Sequence, residues 1–354
     1  MLPTFFLYLS IFVLSSSFAY VAQYCNGSSA RISARFLCFF VLFVPAALRY
    51  GIGTDYFNYV NMYERGFPSH MQILEPGFRF FGLLNYRIGV SAHIFIAIVS
   101  GITYALLCFC LPRRHIFVAV TFFVLSFLYL DSYNIIRQVL ATVILLYAFS
   151  LMYGNKPKQG FILCLVASLM HFSSLIALVI LLVSHIKTNN LSRFVFITVF
   201  IFVGTNEWFL SMLVYIAAAI NPRNLALSVL LVQPEINLGV TYIIFALPSI
   251  FIVFNSKKIL LQNSGNFILN ANVFYIGIMM LAFAVEIVGR FVLVMFFVPL
   301  FSMQILFDAD KKYAKIYRYI LGLCFLAIYM RYIEHSMLGT ATAGVSPYRS
   351  IFFR

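Results

Sequence analysis

The stretch GFILCLVASLMHFSSLIALVILLVSHI, residues 160–186, decides how this chain is arranged. It contains no Lys, Arg, Asp or Glu, yet Lys156 and Lys158 precede it and Lys187 and Arg193 follow it. Short loops rich in Lys and Arg stay on the cytoplasmic side of a membrane. Both flanks obey that rule only if the stretch crosses an even number of times. As helix it is about 40 Å long, too short for two passes through a core roughly 30 Å thick. A re-entrant hairpin or a pair of short helices fits, with His171-Phe172-Ser173-Ser174 at its tip. The alternative is one tilted span, which would move Lys187, Lys257, Lys258 and the lysines after Asp308 to the outer side.

The rest of the chain has the same character. Of 354 residues, 63% are hydrophobic and only 10% charged, which excludes a soluble globular domain, a disordered chain and a disulfide scaffold. Apolar runs fall near residues 2–22, 36–48, 92–111, 115–130, 135–153, 160–186, 194–213, 239–255, 268–285, 291–307 and 316–333. They predict an all-α polytopic membrane protein with about 10–12 transmembrane helices, counting the short pair. Residues 1–354 then form a single integral membrane domain. The first run has no basic segment before it and is read as a retained span. The six cysteines are scattered, and Cys108 and Cys110 point to different faces of a helix without a nearby His, so no metal site is read there.

The formal charge of +14 separates by side. All eight lysines, with Arg31, Arg35, Arg113, Arg114, Arg193 and Arg318, lie in or beside short connections assigned to the inner side. The outer side receives the N-terminus, a large loop over residues 49–91, a second loop over 206–238 and the tail from Glu334. Eight of the ten acids and ten arginines fall there, but no lysine. Arginine binds phosphate through a planar fork and stays charged throughout the relevant pH range. An outer face of this kind suits an anionic ligand rather than nucleic acid.

Several constellations could carry chemistry. The loop Arg49-Tyr50-Gly51-Ile52-Gly53-Thr54-Asp55-Tyr56-Phe57-Asn58-Tyr59 places a carboxylate between an arginine and aromatic rings, with glycines that permit close backbone approach. An interfacial aromatic belt is the plainer explanation of those rings. Glu75-Pro76-Gly77-Phe78 opens an amphipathic helix, and Glu75 could serve only that helix's dipole. Asp131, Asn134 and Arg137 recur every three residues and would share one helix face, with Gln138 adjacent; an Asp131–Arg137 pair is the structural alternative. His171 sits where the helix is expected to break, and near-neutral titration makes it a usable base. Glu286 and Arg290 stand four apart in an apolar run and could neutralise each other; Arg331 and Glu334 are a weaker pair of the same kind. Asp308-Ala309-Asp310 imitates the DxD of nucleotide-sugar transferases, but its short lysine-rich connection leaves no room for a nucleotide domain. No dinucleotide fingerprint, P-loop or HExxH occurs.

Taken in order, Arg49…Gly53-Thr54-Asp55-Tyr56…Tyr59, Glu75-Pro76-Gly77-Phe78, Ile136-Arg137-Gln138…Ala141 and His171-Phe172-Ser173-Ser174 resemble the EpsG-like, Wzy-type polysaccharide polymerases. The motif match covers residues 49–175, and the later half is matched by topology and Arg290. The resemblance implies a GT-C-like glycosyltransferase of the bacterial inner membrane with its active site facing the periplasm. Such enzymes polymerise undecaprenyl-pyrophosphate-linked oligosaccharide repeat units into O-antigen or a related surface polysaccharide, with no cofactor or metal. Membrane lipids and the lipid-linked oligosaccharides are the expected partners, and association with a chain-length regulator is left open. On this scheme Arg137 and Arg290, with Arg49, stabilise the departing pyrophosphate, and Asp55 or His171 accepts the acceptor hydroxyl's proton. Glu75, Tyr56 and Tyr59 orient sugar, with Gly53 and Gln138 completing the binding set. The rivals are an O-antigen ligase, which differs in acceptor, and a lipid-linked oligosaccharide flippase, for which an internal repeat with paired broken helices would be expected.

Overall fold

The computed structural model describes residues 2–67, 75–184, 186–206, 240–259, 265–284, 288–308, 312–338 and 344–352, with a few further positions between 208 and 215. The predicted 206–238 loop therefore falls almost wholly outside the described residues, as do Glu286, Asp310 and part of the 49–91 loop. Among the described residues the chain is helical throughout, and β pairing is confined to one isolated antiparallel bridge, Arg49 with Ser350. Among the described residues, six helices are long and apolar enough to cross a membrane: Leu2–Tyr24, Ser28–Leu48, Ala92–Cys110, Ile136–Tyr153, Gly265–Ala282 and Ile316–Met337. Shorter apolar helices, Pro157–Met170 and Asn190–Thr205 among them, accompany them. The chain is an all-α, multi-pass membrane protein.

Contacts divide it into two compact units, residues 1–172 with 303–354, and residues 173–302. In the first unit, α1 (Leu2–Tyr24) and α2 (Ser28–Leu48) are neighbours. Thr4, Tyr8, Ile11, Ser15, Ala19 and Ala22 line the buried side of α1, and Ala34, Cys38, Leu42 and Ala46 that of α2. Small residues at helical spacing let the backbones approach, as membrane helices require when water cannot drive their association. Cys38 Sγ reaches the Ser15 carbonyl at 3.5 Å.

Next come α3 (Tyr56–Glu64), α4 (Pro76–Arg87) and α5 (Ala92–Ala105), the last capped by the Ser91 hydroxyl accepting from the Ile94 amide. The run 115–130, expected as one span, is broken: α6 (Ile116–Leu125) ends before Phe127, whose φ is +69°, and α7 (Leu128–Asp131) is a single turn. The positive φ at Phe127 stops the ladder, which apolar composition alone does not reveal. Then α8 (Ile136–Tyr153) runs through the interior and α9 (Pro157–Met170) packs along it. Gly160 sits so close that a Cβ there would lie 2.7 Å from the Ala148 carbonyl oxygen. As expected, the helix breaks at His171: a 3₁₀ turn, Phe172–Leu175, separates α9 from α10 (Ile176–Ser184).

The helices of this unit run between two ends. At one end, residues 344–352 strap onto the start of the 49–91 loop. The Gly53 amide donates to the Gly344 carbonyl at 3.0 Å, Tyr50 to Arg349 at 3.0 Å and Ile351 to Leu48 at 2.9 Å. The Tyr8 hydroxyl donates to the Val345 carbonyl at 2.6 Å, and Tyr348's to that of Pro45 at 2.8 Å. At the other end, Arg113 holds the carbonyls of Gln23 and Cys25, Arg35 those of Cys108, Phe109 and Leu111, and Arg114 lies over the Tyr153 ring. The two charge classes read from the sequence therefore sit at opposite ends of this unit, about 24 Å apart along α8 from Arg137 to Tyr153.

In the second unit α11 (Asn190–Thr205) begins with a capping box between Asn189 and Ser192 and packs on the helix Gly265–Ala284. The run 291–307 forms two helices, Gly289–Val294 and Phe297–Asp308.

Candidate active site

Glu75 is the hub. It precedes the first residue of α4, but its carboxylate makes no cap hydrogen bond, so service to the helix end is not its role. Instead Oε2 pairs with Arg137 Nη1 from α8, while Oε1 meets His171 Nδ1 at 2.7 Å and accepts the Phe172 amide at 3.3 Å. The Glu75 residue is only 3% exposed, so burying its charge depends on these partners. Burial pushes its acidity one way; the His171 hydrogen bond and the Arg137 charge push it the other and prevail, holding the carboxyl below its ordinary range.

The local sequence explains the placement. Pro76 starts α4 where its missing amide hydrogen costs nothing. Gly77 lets α4 touch the end of α9: a Cβ there would lie 2.7 Å from Leu169 Cβ and 2.8 Å from the Leu169 carbonyl oxygen. Phe78 lies under the Arg137 guanidinium, 5.7 Å from ring centre to Cζ, and Tyr59 lies at 5.8 Å. Arg137 Nε also donates to the Tyr59 hydroxyl at 3.4 Å. Glu-Pro-Gly-Phe is thus a hub, a helix start, a close contact and a wall in consecutive positions.

The carboxylate also sets the histidine. An ionised Glu75 can only accept, so His171 Nδ1 carries the hydrogen of this bond. Among the described residues no group pairs with Nε2, which is itself buried. A histidine oriented by a buried carboxylate, with its far nitrogen buried and unused by the described residues, has the arrangement a general base requires.

The glycine-rich loop stands beside this cluster as a second layer. Asn134 Oδ1 accepts from Thr54 Oγ1 at 2.9 Å and from the Asp55 amide at 2.8 Å. Gly53 has φ +93°, and a Cβ there would lie 2.5 Å from the Tyr133 carbonyl oxygen. Asp131, Asn134 and Arg137 do not share a helix face: Ser132 to Ile135 form the turn between α7 and α8, and Arg137 pairs with Glu75 instead of Asp131. Gln138 is buried in α8 next to Arg137.

Other expected residues are placed differently from an open binding face. Asp55 stands at the head of α3 without a cap hydrogen bond from its side chain, half-buried, with Oδ1 accepting from Asn58 at 3.2 Å. Tyr56 is buried in the wall, its hydroxyl 2.6 Å from His93 Nδ1; His93 did not stand out in the sequence. Arg49 is enclosed, donating to the Ala46 carbonyl and to Ser100 Oγ and lying over the Tyr133 ring, while Nε and Nη2 have no acceptor among the described residues. Arg290 belongs to the helix Gly289–Val294 of the second unit, and its side chain lies outside the described set.

A family model for the EpsG family matches residues 32–350, a span that contains every residue of this cluster. The chain belongs to the EpsG family. No curated protein and no solved structure matches it. Membership implies a membrane glycosyltransferase-type polymerase that serves polysaccharide biosynthesis. In this EpsG-family chain, Glu75 joins a fixed guanidinium, Arg137, to an oriented imidazole, His171.

Proposed function

We propose that this EpsG-family protein is a periplasmic-face glycosyltransferase of the bacterial inner membrane, extending O-antigen or a related surface polysaccharide. Its substrates are undecaprenyl-pyrophosphate-linked oligosaccharides. The observation that carries the reading is the Glu75 carboxylate joining Arg137 to His171.

In the reaction, a hydroxyl of the incoming lipid-linked unit attacks the anomeric carbon at the reducing end of the growing chain. The new C–O bond forms as the bond to the pyrophosphate oxygen breaks. His171 Nε2 takes the hydroxyl proton, and the imidazolium so formed is stabilised through Nδ1 by Glu75. The Arg137 guanidinium faces the charge that gathers on the leaving pyrophosphate, where a preoriented cation acts without reorganisation. Asp55, turned to Asn58 and held at the head of α3, is assigned to shaping the loop instead of to proton transfer. Within the proposal the base is His171, and Asp55 is not.

The test is the sugar-chain phenotype of a deletion strain complemented with wild type or His171→Gln. A single repeat unit on the lipid core in the deletion, lengthened by wild type alone, supports a polymerase using His171. Absence of any chain on the core would make the protein a ligase. Inward-trapped lipid-linked units would make it a flippase.

A further inference from the structure

The helix that begins at Glu75 has one face that the Glu75 cluster does not use. On α4, Phe80 and Leu84, with Ile88 at the C-terminal cap, follow at four-residue intervals and so share a side. They are 70%, 50% and 70% exposed. Phe78, Gly82 and Asn85 form the buried side. At about 100° per residue, Arg79 and Tyr86 stand roughly 140–160° around the helix from the apolar stripe, and Arg87 borders it. A helix lying against water would carry polar groups where this one carries Phe, Leu and Ile. The stripe also continues onto a second helix. Gly77 lies on the same side of α4 and touches Leu169 at the end of α9. On α9, Phe161, Leu165 and Leu169, again four apart, are exposed in turn.

We propose that α4 lies in the plane of the membrane surface, with Phe80, Leu84 and Ile88 among phospholipid acyl chains. Its two ends fix that depth. Glu75, the residue before α4, pairs with Arg137, the second residue of the candidate span Ile136–Tyr153. Ile88 stands four residues before Ala92, which opens the candidate span Ala92–Cys110. Both spans start at the same end of the first unit, since Tyr153 and the carbonyls of Cys108 and Leu111 meet arginines at the other. Spanning helices start at headgroup depth, so α4 is held there at both ends. Its twelve residues give about 18 Å of helix, too short to cross a core of roughly 30 Å. A short helix with an apolar outer side and flanking arginine is the pattern that settles into an interface. Arg87, beside the stripe, can raise its guanidinium from the apolar layer to the phosphates. Continuity with α9, which packs along the span α8, favours bilayer lipid over a second copy of the chain as the stripe's cover.

The chain has a single tryptophan, Trp208, so its fluorescence can be moved onto α4. Full-length W208F/L84W and W208F/Y86W are reconstituted into phosphatidylcholine vesicles, with and without phosphatidylcholine brominated on its acyl chains. In W208F/L84W the brominated lipid is expected to remove the greater part of the emission, and aqueous acrylamide little of it. In W208F/Y86W, two residues on and across the helix, acrylamide should quench and the brominated lipid should not. If L84W prevents folding, W208F/F80W gives the same readout from another exposed position on the stripe. The vesicles contain no isoprenoid, so quenching by brominated lipid identifies phospholipid as the occupant. Acrylamide quenching of W208F/L84W without lipid quenching would put the stripe in water and overturn the proposal. Shielding from both quenchers would put protein over the stripe, from this chain or a second copy, and overturn it equally. No readout is sugar-chain length, so the result stands whether the protein is a polymerase, a ligase or a flippase.

Discussion

His171 and Glu75 lie 96 positions apart in sequence and meet at 2.7 Å, Nδ1 to Oε1, where α9 ends and α4 begins. The contact converts two isolated residues into one oriented dyad. It predicts that His171→Gln lowers polymerisation by roughly 10²–10⁴-fold, the usual worth of positioned proton transfer. Chain-length distributions on gels, with blotting for protein in the membrane, measure it. Full-length polymer from this variant would make His171 a structural residue.

Arg137→Ala should abolish polymer more completely, because it removes the cation and leaves a buried carboxylate without its partner. That second effect costs about 3–5 kcal/mol when a buried pair is broken from one side. Arg137→Ala with Glu75→Gln should regain membrane abundance without regaining activity. A double variant that polymerises normally would exclude Arg137 from the chemistry.

Gly77→Ala tests the approach of α4 to α9. The new methyl meets Leu169 Cβ and its carbonyl oxygen at under 3 Å, and overpacking of this kind costs typically 1–3 kcal/mol. The Glu75–His171 contact should loosen with it, so activity falls further than melting temperature. Leu169→Ala relieves the side-chain part of the clash and is expected to restore activity only in part, because the carbonyl stays. An activity equal to wild type in Gly77→Ala would show that the helices can part without consequence.

Acid should spare the site longer than an ordinary carboxylate would allow. Glu75 has a lower pKa folded than unfolded, so its contribution to stability is complete above the unfolded carboxylate value and disappears as pH falls through the lower folded one. Wild-type melting should therefore decline only in acid below the ordinary carboxylate range, and Glu75→Gln should lose that part of the decline. Identical acid profiles for the two proteins would show that Glu75 does not govern it.

Removal of the strap hydroxyl in Tyr348→Phe eliminates one bond, to the Pro45 carbonyl, worth about 1 kcal/mol. Deletion of residues 344–352 removes the whole set that completes the 48–53 segment. The truncated chain should still insert but polymerise poorly. Normal polymer from it would separate the loop's shape from catalysis.

Much of the fold was legible because membrane helices declare themselves by composition. The break at His171 was legible too, through the basic flanks of one stretch. The meaning of Glu75 was not, since a carboxylate before a proline reads as a helix cap and periodicity carries no information about partners on another helix. The Asp131, Asn134 and Arg137 face failed for a different reason. Its three-residue spacing assumes an unbroken helix, and the left-handed Phe127 with the following turn removes that assumption. The strap over residues 344–352 lacks any periodic pattern, so nothing in it announced that it would pair with Leu48, Tyr50 and Gly53. Arg49 was read as reaching a ligand; burial against Tyr133 and Ser100 makes it an interior cation.

The strap has a consequence for how the chain can be cut. Every residue of the Glu75 cluster lies before Ser173, which invites expression of residues 1–172 as a minimal enzyme. Yet the first unit is discontinuous: its last helix and tail arrive only after Met303, and residues 173–302 are an insert spliced between its parts. A minimal version must therefore be made by joining both ends of the scaffold across the insert, not by truncation. The splice begins immediately after Phe172, one residue past His171, so the graft point and the proposed base are neighbours along the backbone.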